Sequence, residues 1–225
     1  MSGLHKNARL DKRGAAGRWA LAVVAVALSL QMIGCSATEL EDRCFPMLAA
    51  ADYKDGQVEF AYGFPQLSQK ENTDVEESKV DAPMTPGASF REAYENYKQE
   101  LDKKADANHL KVFVLSEAFL QQEDVMAQTI EYLQQSELFP RNTYVCVTDD
   151  IGALMKSEKN LPTDVGSYLE TFLKNHEPER DVDLVNLGTV LDESENHIKT
   201  LQLPYLKVKE DAVLWDGYYV LAPES

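Results

Sequence analysis

The feature that most constrains this chain is a short apolar run that ends at a cysteine. Residues 1–18 hold five basic side chains and one acid, and an apolar run follows from Trp19 to Ile33. A basic head, a short apolar middle and a small-residue end are the three parts of a secretory signal. The run is about 15 residues long, whereas a membrane-spanning helix needs roughly 20. We therefore expect the folded part to begin at or after Cys35.

The residues at the end of this run resemble the lipobox of bacterial lipoproteins. Met32-Ile33-Gly34-Cys35 places a small residue before a cysteine, with Met32 where that pattern more often has leucine. The resemblance implies that residues 1–34 are removed as a signal peptide and that Cys35 is acylated. Two or more acyl chains hold a protein stably at a membrane without a spanning helix. Residues 35–42 would be the tether on the outer face of the cell membrane; the alternative is an uncleaved anchor helix with an incidental cysteine.

Removal of the signal peptide makes an acidic chain more acidic. It leaves 191 residues (225 − 34) with a formal charge of −20 (17 − 37), a length that suits a single domain. Nucleic-acid binding needs basic patches, and anionic lipid headgroups repel a polyanion. The sequence therefore predicts no nucleic-acid partner, and a membrane association that depends on the lipid.

Two cysteines remain once Cys35 is assigned to lipid. Cys44 and Cys146 both lie in strand-like apolar surroundings, where a free cysteine packs as a small core residue. A disulfide between them is the open alternative outside the cytoplasm. Neither has the spacing of a zinc ligand.

Strand and turn patterns predict a β-hairpin at each end of the mature chain. Residues 43–64 show two apolar arms around Asp55-Gly56, a favoured turn pair, and residues 201–221 show strands around Asp216-Gly217. Between residues 65 and 88 the chain is acidic and poor in large apolar side chains, which predicts a long mobile loop.

Helices and buried strands alternate between the hairpins. Ser89 and Glu92 form a capping box, and Tyr94 and Tyr97 lie on the apolar face of the helix it opens, which we expect to end at Asn108-His109. Further predicted elements are strands at 110–115 and 144–147, helices at 123–137, 151–157 and from Pro162-Thr163-Asp164 onward, and a short helix at 184–187. The pattern predicts an α/β (α+β) fold with a mixed β-sheet, flanking helices and two β-hairpins in a single mature domain over residues 43–221.

The order of these elements resembles the N-terminal domain of the Ger(x)C family, the lipoprotein C subunits of spore germinant receptors. Four stretches are similar to the family's pattern: Thr38–Arg43, His109–Glu117, Arg141–Val147 and Leu203-Pro204. Family members usually continue into further domains, and the acidic loop is longer than the connection expected at that point. The resemblance implies a non-catalytic receptor subunit that contacts integral membrane germinant-receptor subunits and assists nutrient-triggered germination. The alternative is an extracytoplasmic lipoprotein that binds or senses a solute.

No spacing of residues in the chain indicates a catalytic site or a cofactor. His109 and His176 lie at predicted helix ends, His197 lies in a polar loop, and His5 is lost with the signal. No HExxH, GxSxG or glycine-rich phosphate loop occurs. We expect no enzyme activity, and Cys35 is the one functional residue that the sequence predicts.

Acidic pairs are weak candidates for a metal site. Asp149-Asp150 precede a predicted helix and are expected to cap it, and Asp181 and Asp183 share a face if that segment is extended. Calcium needs about six or more oxygen ligands. The sequence therefore predicts no bound metal.

Overall fold

Buried strands rich in valine and other apolar residues form the centre of the fold. The computed structural model describes residues 42–65, 84–176, 184–196, 200–210 and 212–221, and all of these lie within one compact unit, Glu41–Ser225. Every residue of the strand Val112–Ser116 is buried. A strand that is covered on both faces needs helices on both sides of its sheet.

The described residues form nine strands and six α-helices. The strands are β1 Arg43–Cys44, β2 Leu48–Lys54, β3 Gln57–Gly63, β4 Thr85–Gly87, β5 Lys104–Ala105, β6 Val112–Ser116, β7 Tyr144–Thr148, β8 Leu201–Lys209 and β9 Ala212–Leu221. The helices are α1 Phe90–Glu100, α2 Glu117–Leu120, α3 Glu123–Ser136, α4 Ile151–Lys156, α5 Val165–His176 and α6 Leu187–Asn196. Short 3₁₀ turns occur at Ala107–His109 and Ser157–Asn160.

Seven of the strands form one mixed sheet in the order β4-β3-β2-β6-β7-β8-β9. The central strands β2, β6, β7 and β8 run parallel to one another. Antiparallel partners extend the sheet on both sides, β3 and β4 beside β2 and β9 beside β8. The remaining strands, β1 and β5, pair with each other in a separate two-stranded ribbon. The predicted α/β class with a mixed sheet and flanking helices is confirmed.

Alternate side chains of the sheet enter two separate cores. On one face Ala49, Phe113, Val145 and Leu203 pack under α1, α3 and α6, and on the other Ala50, Val114, Cys146 and Leu206 pack under α4 and α5. The fold is therefore a three-layer α/β/α arrangement.

The first core is dominated by aromatic rings. The ring of Phe60 lies 4.9 to 5.5 Å from those of Tyr62, Phe90, Tyr94 and Tyr97, each in an edge-to-face arrangement. Such pairs contribute about 0.5–1.5 kcal/mol each beyond the area they bury. Tyr94 and Tyr97, which the helical spacing assigned to a core face, are buried.

The helix caps at Ser89 and Asp164 form where the sequence predicts helix starts. Ser89 Oγ accepts a hydrogen bond from the Glu92 amide at 3.3 Å, and Glu92 Oε2 accepts one from the Ala88 amide at 3.0 Å. Asp164 Oδ1 caps α5 by accepting from the Ser167 amide at 2.9 Å. These bonds satisfy N–H groups that the helices themselves leave without partners.

The first Asp-Gly turn is confirmed and the second is wrong. Asp55 and Gly56 have φ values of 52° and 82° between β2 and β3. Asp216 and Gly217 lie within β9, whose turn from β8 falls instead between the paired residues Lys209 and Ala212. Gly217, with a φ of 101°, takes up an extra residue where the pairing register with β8 shifts. A glycine with positive φ serves a bulge as well as a turn, so the sequence pattern alone did not distinguish them.

Three other predicted boundaries differ from the structure. Helix α1 ends at Glu100, because Leu101 adopts an extended conformation and leads into β5. Residues 85–87, assigned to the acidic loop, form strand β4; residues 66–83 of that loop lie outside the described part. Helix α6 begins at Leu187, where Asn186 Oδ1 accepts from the Thr189 amide at 3.0 Å, so the helix predicted at 184–187 was placed too early.

A glycine lets α5 pack directly on the backbone that precedes β2. A Cβ atom added to Gly166 would lie 2.4 Å from the carbonyl oxygen of Met47.

We expect Gly166→Ala to lower the free energy of unfolding by about 2 kcal/mol or more, because backbone must move to relieve the contact. Urea denaturation of the purified protein measures this. Gly152→Ala is the control, because this position of α4 is exposed and the added Cβ would meet only the Asp150 side chain, at 3.3 Å. It should change the free energy of unfolding little, and equal losses in both variants would contradict the prediction.

A partly buried carboxylate on α5 forms an ion pair with the lysine that directly precedes β6. Glu170 lies 3.4 Å from Lys111 Nζ and 2.7 Å from Lys174 Nζ. Burial favours the neutral acid, but the hydrogen bond from Lys174 and the charge of Lys111 outweigh it and lower the Glu170 pKa. A lowered pKa in the folded state stabilises the fold above the unfolded pKa, and this contribution disappears as pH falls through the folded pKa.

We therefore expect Glu170→Gln to lower the free energy of unfolding by about 1 kcal/mol at neutral pH. The difference from wild type should narrow as pH falls below the ordinary glutamate pKa. Urea denaturation at a series of pH values measures this difference, with Glu131→Gln at an exposed position of α3 as the control. A deficit that stays constant down to acidic pH would show that the charge is not its cause.

Candidate functional site

Two neighbouring parallel strands send their following helices to opposite faces of the sheet. After β6, α2 turns toward the first core, and after β7, α4 turns toward the second. Ser116 Oγ caps α2 by accepting from the Phe119 amide at 2.9 Å, and Asp150 Oδ1 caps α4 by accepting from the Ala153 amide at 2.7 Å. In open α/β sheets such a divergence at the carboxyl ends of strands creates a crevice where partners and ligands bind.

Five polar side chains gather at this edge, here called the carboxyl-edge cluster: Glu117, Asp149, Tyr205, Lys207 and Asp216. The Tyr205 hydroxyl donates to Glu117 Oε2 at 2.9 Å, which joins β8 to α2 across 88 residues of sequence. Lys207 Nζ lies 2.6 Å from Asp216 Oδ2 and 5.6 Å from the centre of the Tyr205 ring. The cluster therefore holds three carboxylates against one ammonium group.

The electrostatics of the cluster hold both proton donors in their protonated forms. Burial, then the hydrogen bond to Glu117 and that residue's charge, raises the pKa of Tyr205 well above its ordinary value. The hydrogen bond to Asp216, followed by the charge of that carboxylate, raises the pKa of Lys207. A general acid or base works best with a pKa near the working pH, and both groups move away from neutrality. The cluster therefore presents a surface with more carboxylates than ammonium groups.

The β8–β9 hairpin, which carries three of the five cluster residues, also carries exposed apolar side chains. Leu214 is 46% exposed and Val220 is 58% exposed, and both lie on β9. Leu214 pairs with Lys207 and Val220 pairs with Gln202, on opposite faces of the hairpin. Within the described part of the chain, β9 pairs with β8 alone and forms one edge of the sheet.

The predicted site residues have different outcomes. Several of them lie outside the described residues: the signal peptide with His5, Cys35, the tether up to residue 41, Asp181, Asp183 and His197. His109 is exposed at the end of a 3₁₀ turn, where its ring meets that of Phe45 at 5.5 Å. His176 ends α5, with Nδ1 2.8 Å from the Phe172 carbonyl oxygen, as predicted for a helix end.

The structure tests the predictions for the two cysteines and for the acidic pair Asp149-Asp150. Cys44 and Cys146 are both free, so the alternative of a disulfide is wrong. Cys146 is fully buried in β7, and burial raises the pKa of its thiol. Asp150 is a helix cap, as predicted, whereas Asp149 faces the carboxyl-edge cluster. Among the described residues, no group of three or more histidine, cysteine or acidic side chains is placed to hold a metal ion.

Sequence reasoning missed the cluster because its members are far apart along the chain. In the sequence, Glu117 is only the last residue of the family-like stretch 109–117, and nothing in the pattern links it to Tyr205 or Lys207. One signal was available: an acid directly after a buried strand marks the carboxyl edge of a parallel sheet.

Comparison with known proteins places the three-layer α/β/α domain in a family. The chain matches the family model of the spore germination protein N-terminal domain over residues 36–208. This match covers more than half of the chain, which therefore belongs to that family and has a germinant-receptor C-subunit-like role. No curated protein and no solved structure matches it. No helix in the described ranges is both long and apolar enough to cross a membrane.

The Tyr205–Glu117 bond gives a test of the cluster. We expect Tyr205→Phe and Glu117→Ala each to lower the free energy of unfolding, and the double variant to lose less than their sum. The coupling should be about 1 kcal/mol, because the two groups share one hydrogen bond. A urea-denaturation double-mutant cycle measures it. Tyr205→Phe combined with Gln135→Ala on α3 is the matched control, and additive losses in the Tyr205–Glu117 cycle would argue against the bond.

Proposed function

We propose that this protein is a lipid-anchored, non-catalytic subunit of a spore germinant receptor. Acylated Cys35 would hold it on the outer face of the cell membrane, which in a spore is the inner membrane. There it would contact integral membrane subunits and assist their response to nutrients. Its work would be binding and positioning, because a tether raises its local concentration beside its partners.

The observation that carries this proposal is where the family match begins. It starts at residue 36, directly after Cys35. The basic and apolar residues 1–34 thus lie wholly outside the family domain, as expected of a segment that exports the chain and is then removed. The acidic charge adds support, because a polyanion is repelled by anionic headgroups and needs a lipid to remain at the membrane.

The site geometry also favours binding over chemistry. The carboxyl-edge cluster keeps Tyr205 and Lys207 protonated, and its three carboxylates favour a basic partner surface. An extracytoplasmic solute-binding role would call for a pocket of several hundred Å³. The cavity between α3, α6 and the sheet has a volume of about 10 Å³, room for about one water molecule. A second, open cleft beside α1 and α3 has a volume of about 200 Å³ and is lined by Ser89, Phe90, Arg91, Gln128, Glu131, Tyr132 and Gln135. It is smaller than the pockets that usually enclose a small molecule, so these two cavities favour a binding surface over an enclosed solute pocket.

The test compares wild type with Cys35→Ser in a sporulating host. Wild type recovered from membranes should have lost residues 1–34 and gained a diacylglyceryl group by intact mass, and Cys35→Ser should not. Nutrient-triggered germination, measured as the loss of spore refractility, should fall in Cys35→Ser to the level of a gene deletion. Germination by a trigger that bypasses nutrient receptors should be unchanged.

Cys44→Ser is the matched control, because Cys44 is free and lies in the ribbon of β1 and β5. It should keep both the mass change and the germination rate. An unmodified wild-type chain would overturn the anchor. A correctly acylated chain whose deletion leaves nutrient germination unchanged would overturn the receptor role.

A further inference from the structure

The two edges of the large sheet differ in how they are protected. Strand β4, at one edge, has three residues and contains Pro86, which donates no hydrogen bond. Strand β9, at the other, has ten residues with no proline or basic side chain. A long edge strand without prolines or basic side chains is a ready template for pairing with another strand. The β9 edge therefore has the properties of an interaction surface.

The bulge at Gly217 divides this edge into two parts. Asp216, the one charged residue of β9, lies beside the bulge and pairs with Lys207. Residues 218–221 beyond it are uncharged and alternate between faces. Tyr219 and Leu221 pack against the first core, and Val220 is largely exposed on the other face. The uncharged part is the more favourable for pairing.

We propose that β9 pairs with β9 of a second copy of this chain, antiparallel, about a twofold axis at Tyr219. Opposite residues of an antiparallel pair lie on the same face, so the axis must coincide with a residue. An axis at Tyr219 places Val220 opposite Tyr218 of the second copy and Tyr219 opposite its counterpart. Aromatic pairs and pairs of an aromatic with a β-branched residue are among the favourable cross-strand contacts.

Neighbouring registers are less favourable. An axis at residue 218 would extend the paired stretch across the bulge, where Asp216 lies on the face of Lys207 and Val220 lies on the other face. An axis at residue 220 would move Tyr218 out of the paired stretch of β9. The register at Tyr219 keeps Asp216 in its ion pair and covers the side chain that is 58% exposed. The strand is complementary to itself in this register, which favours a second copy over an unrelated strand.

The charge of the chain predicts how salt acts on this contact. Each copy carries a formal charge of −16 or, without residues 1–34, −20, and the copies repel each other (17 − 37 for the shorter form). The contacting residues carry no charge, so salt screens the repulsion without weakening the contact. Association should tighten as salt increases. A contact with a basic partner would weaken instead.

The test measures the mass of the full chain in detergent by sedimentation velocity over a range of concentration and salt. Wild type should reach the mass of two copies, more completely at 0.5 M than at about 0.05 M salt. Val220→Asp should dissociate at least tenfold more readily. Leu214→Asp is the matched control on the same strand, outside the paired residues and next to Lys207, and should behave as wild type. A wild-type monomer throughout, or equal effects of the two substitutions, would overturn the proposal.

A cross-link tests the register independently. In a variant with Cys35 and Cys44 replaced by serine, Val220→Cys brings two thiols to Cβ positions about 7–8 Å apart. Leu214→Cys would place them about 30 Å apart, given the rise of roughly 3.4 Å per residue. A short bis-maleimide should join the first variant and not the second. Dimers that cross-link at neither position would show another interface and would overturn the proposal.

Discussion

The structure depends on four adjacent parallel strands that send buried side chains to both faces of the sheet. β2, β6, β7 and β8 place alternate residues into two cores, so no arrangement with a single helical layer would cover them. This requirement explains why the chain crosses the sheet after β7, with α4 and α5 on one face, before α6 returns to the other. It also explains Gly166, since α5 covers the second face only if it approaches the backbone at Met47 closely. The divergence of α2 and α4, and with it the carboxyl-edge cluster, is a consequence of the same two-sided burial.

Local signals predicted most of the elements, because each one acts within a few residues. The capping box at Ser89 and the Asp55-Gly56 turn depend on neighbouring backbone groups, and both are present. Asp216-Gly217 carries the same local signal as Asp55-Gly56, yet the chain turns between Lys209 and Ala212 instead. What decides between turn and bulge is the pairing of Leu201 with Leu221 and of Leu203 with Tyr219. That pairing buries the open end of the hairpin in the first core and is not encoded in the dipeptide.

The candidate site was less predictable than the fold for a physical reason. Glu117 and Tyr205 are 88 residues apart and meet because β6, β7 and β8 lie side by side. Their strands were recognisable from the sequence, but the order of strands in the sheet was not. By contrast, Cys35 was assigned from a pattern of contiguous residues, which needs no tertiary structure. A sequence therefore predicts a site made of contiguous residues more readily than a site whose residues are brought together by the order of strands in the sheet.

The acidic charge and the uncharged part of β9 act in opposite directions on association. Long-range repulsion between copies falls off over about 8 Å at physiological salt, whereas cross-strand contacts act only at direct approach. A bulge and an ion pair at Asp216 limit the available edge to a few residues, which restricts pairing to a narrow set of registers. An edge with no such limit would pair in many registers and aggregate. The bulge that shifts the turn of the second hairpin away from Asp216-Gly217 also separates the uncharged part of β9 from the charged carboxyl-edge cluster.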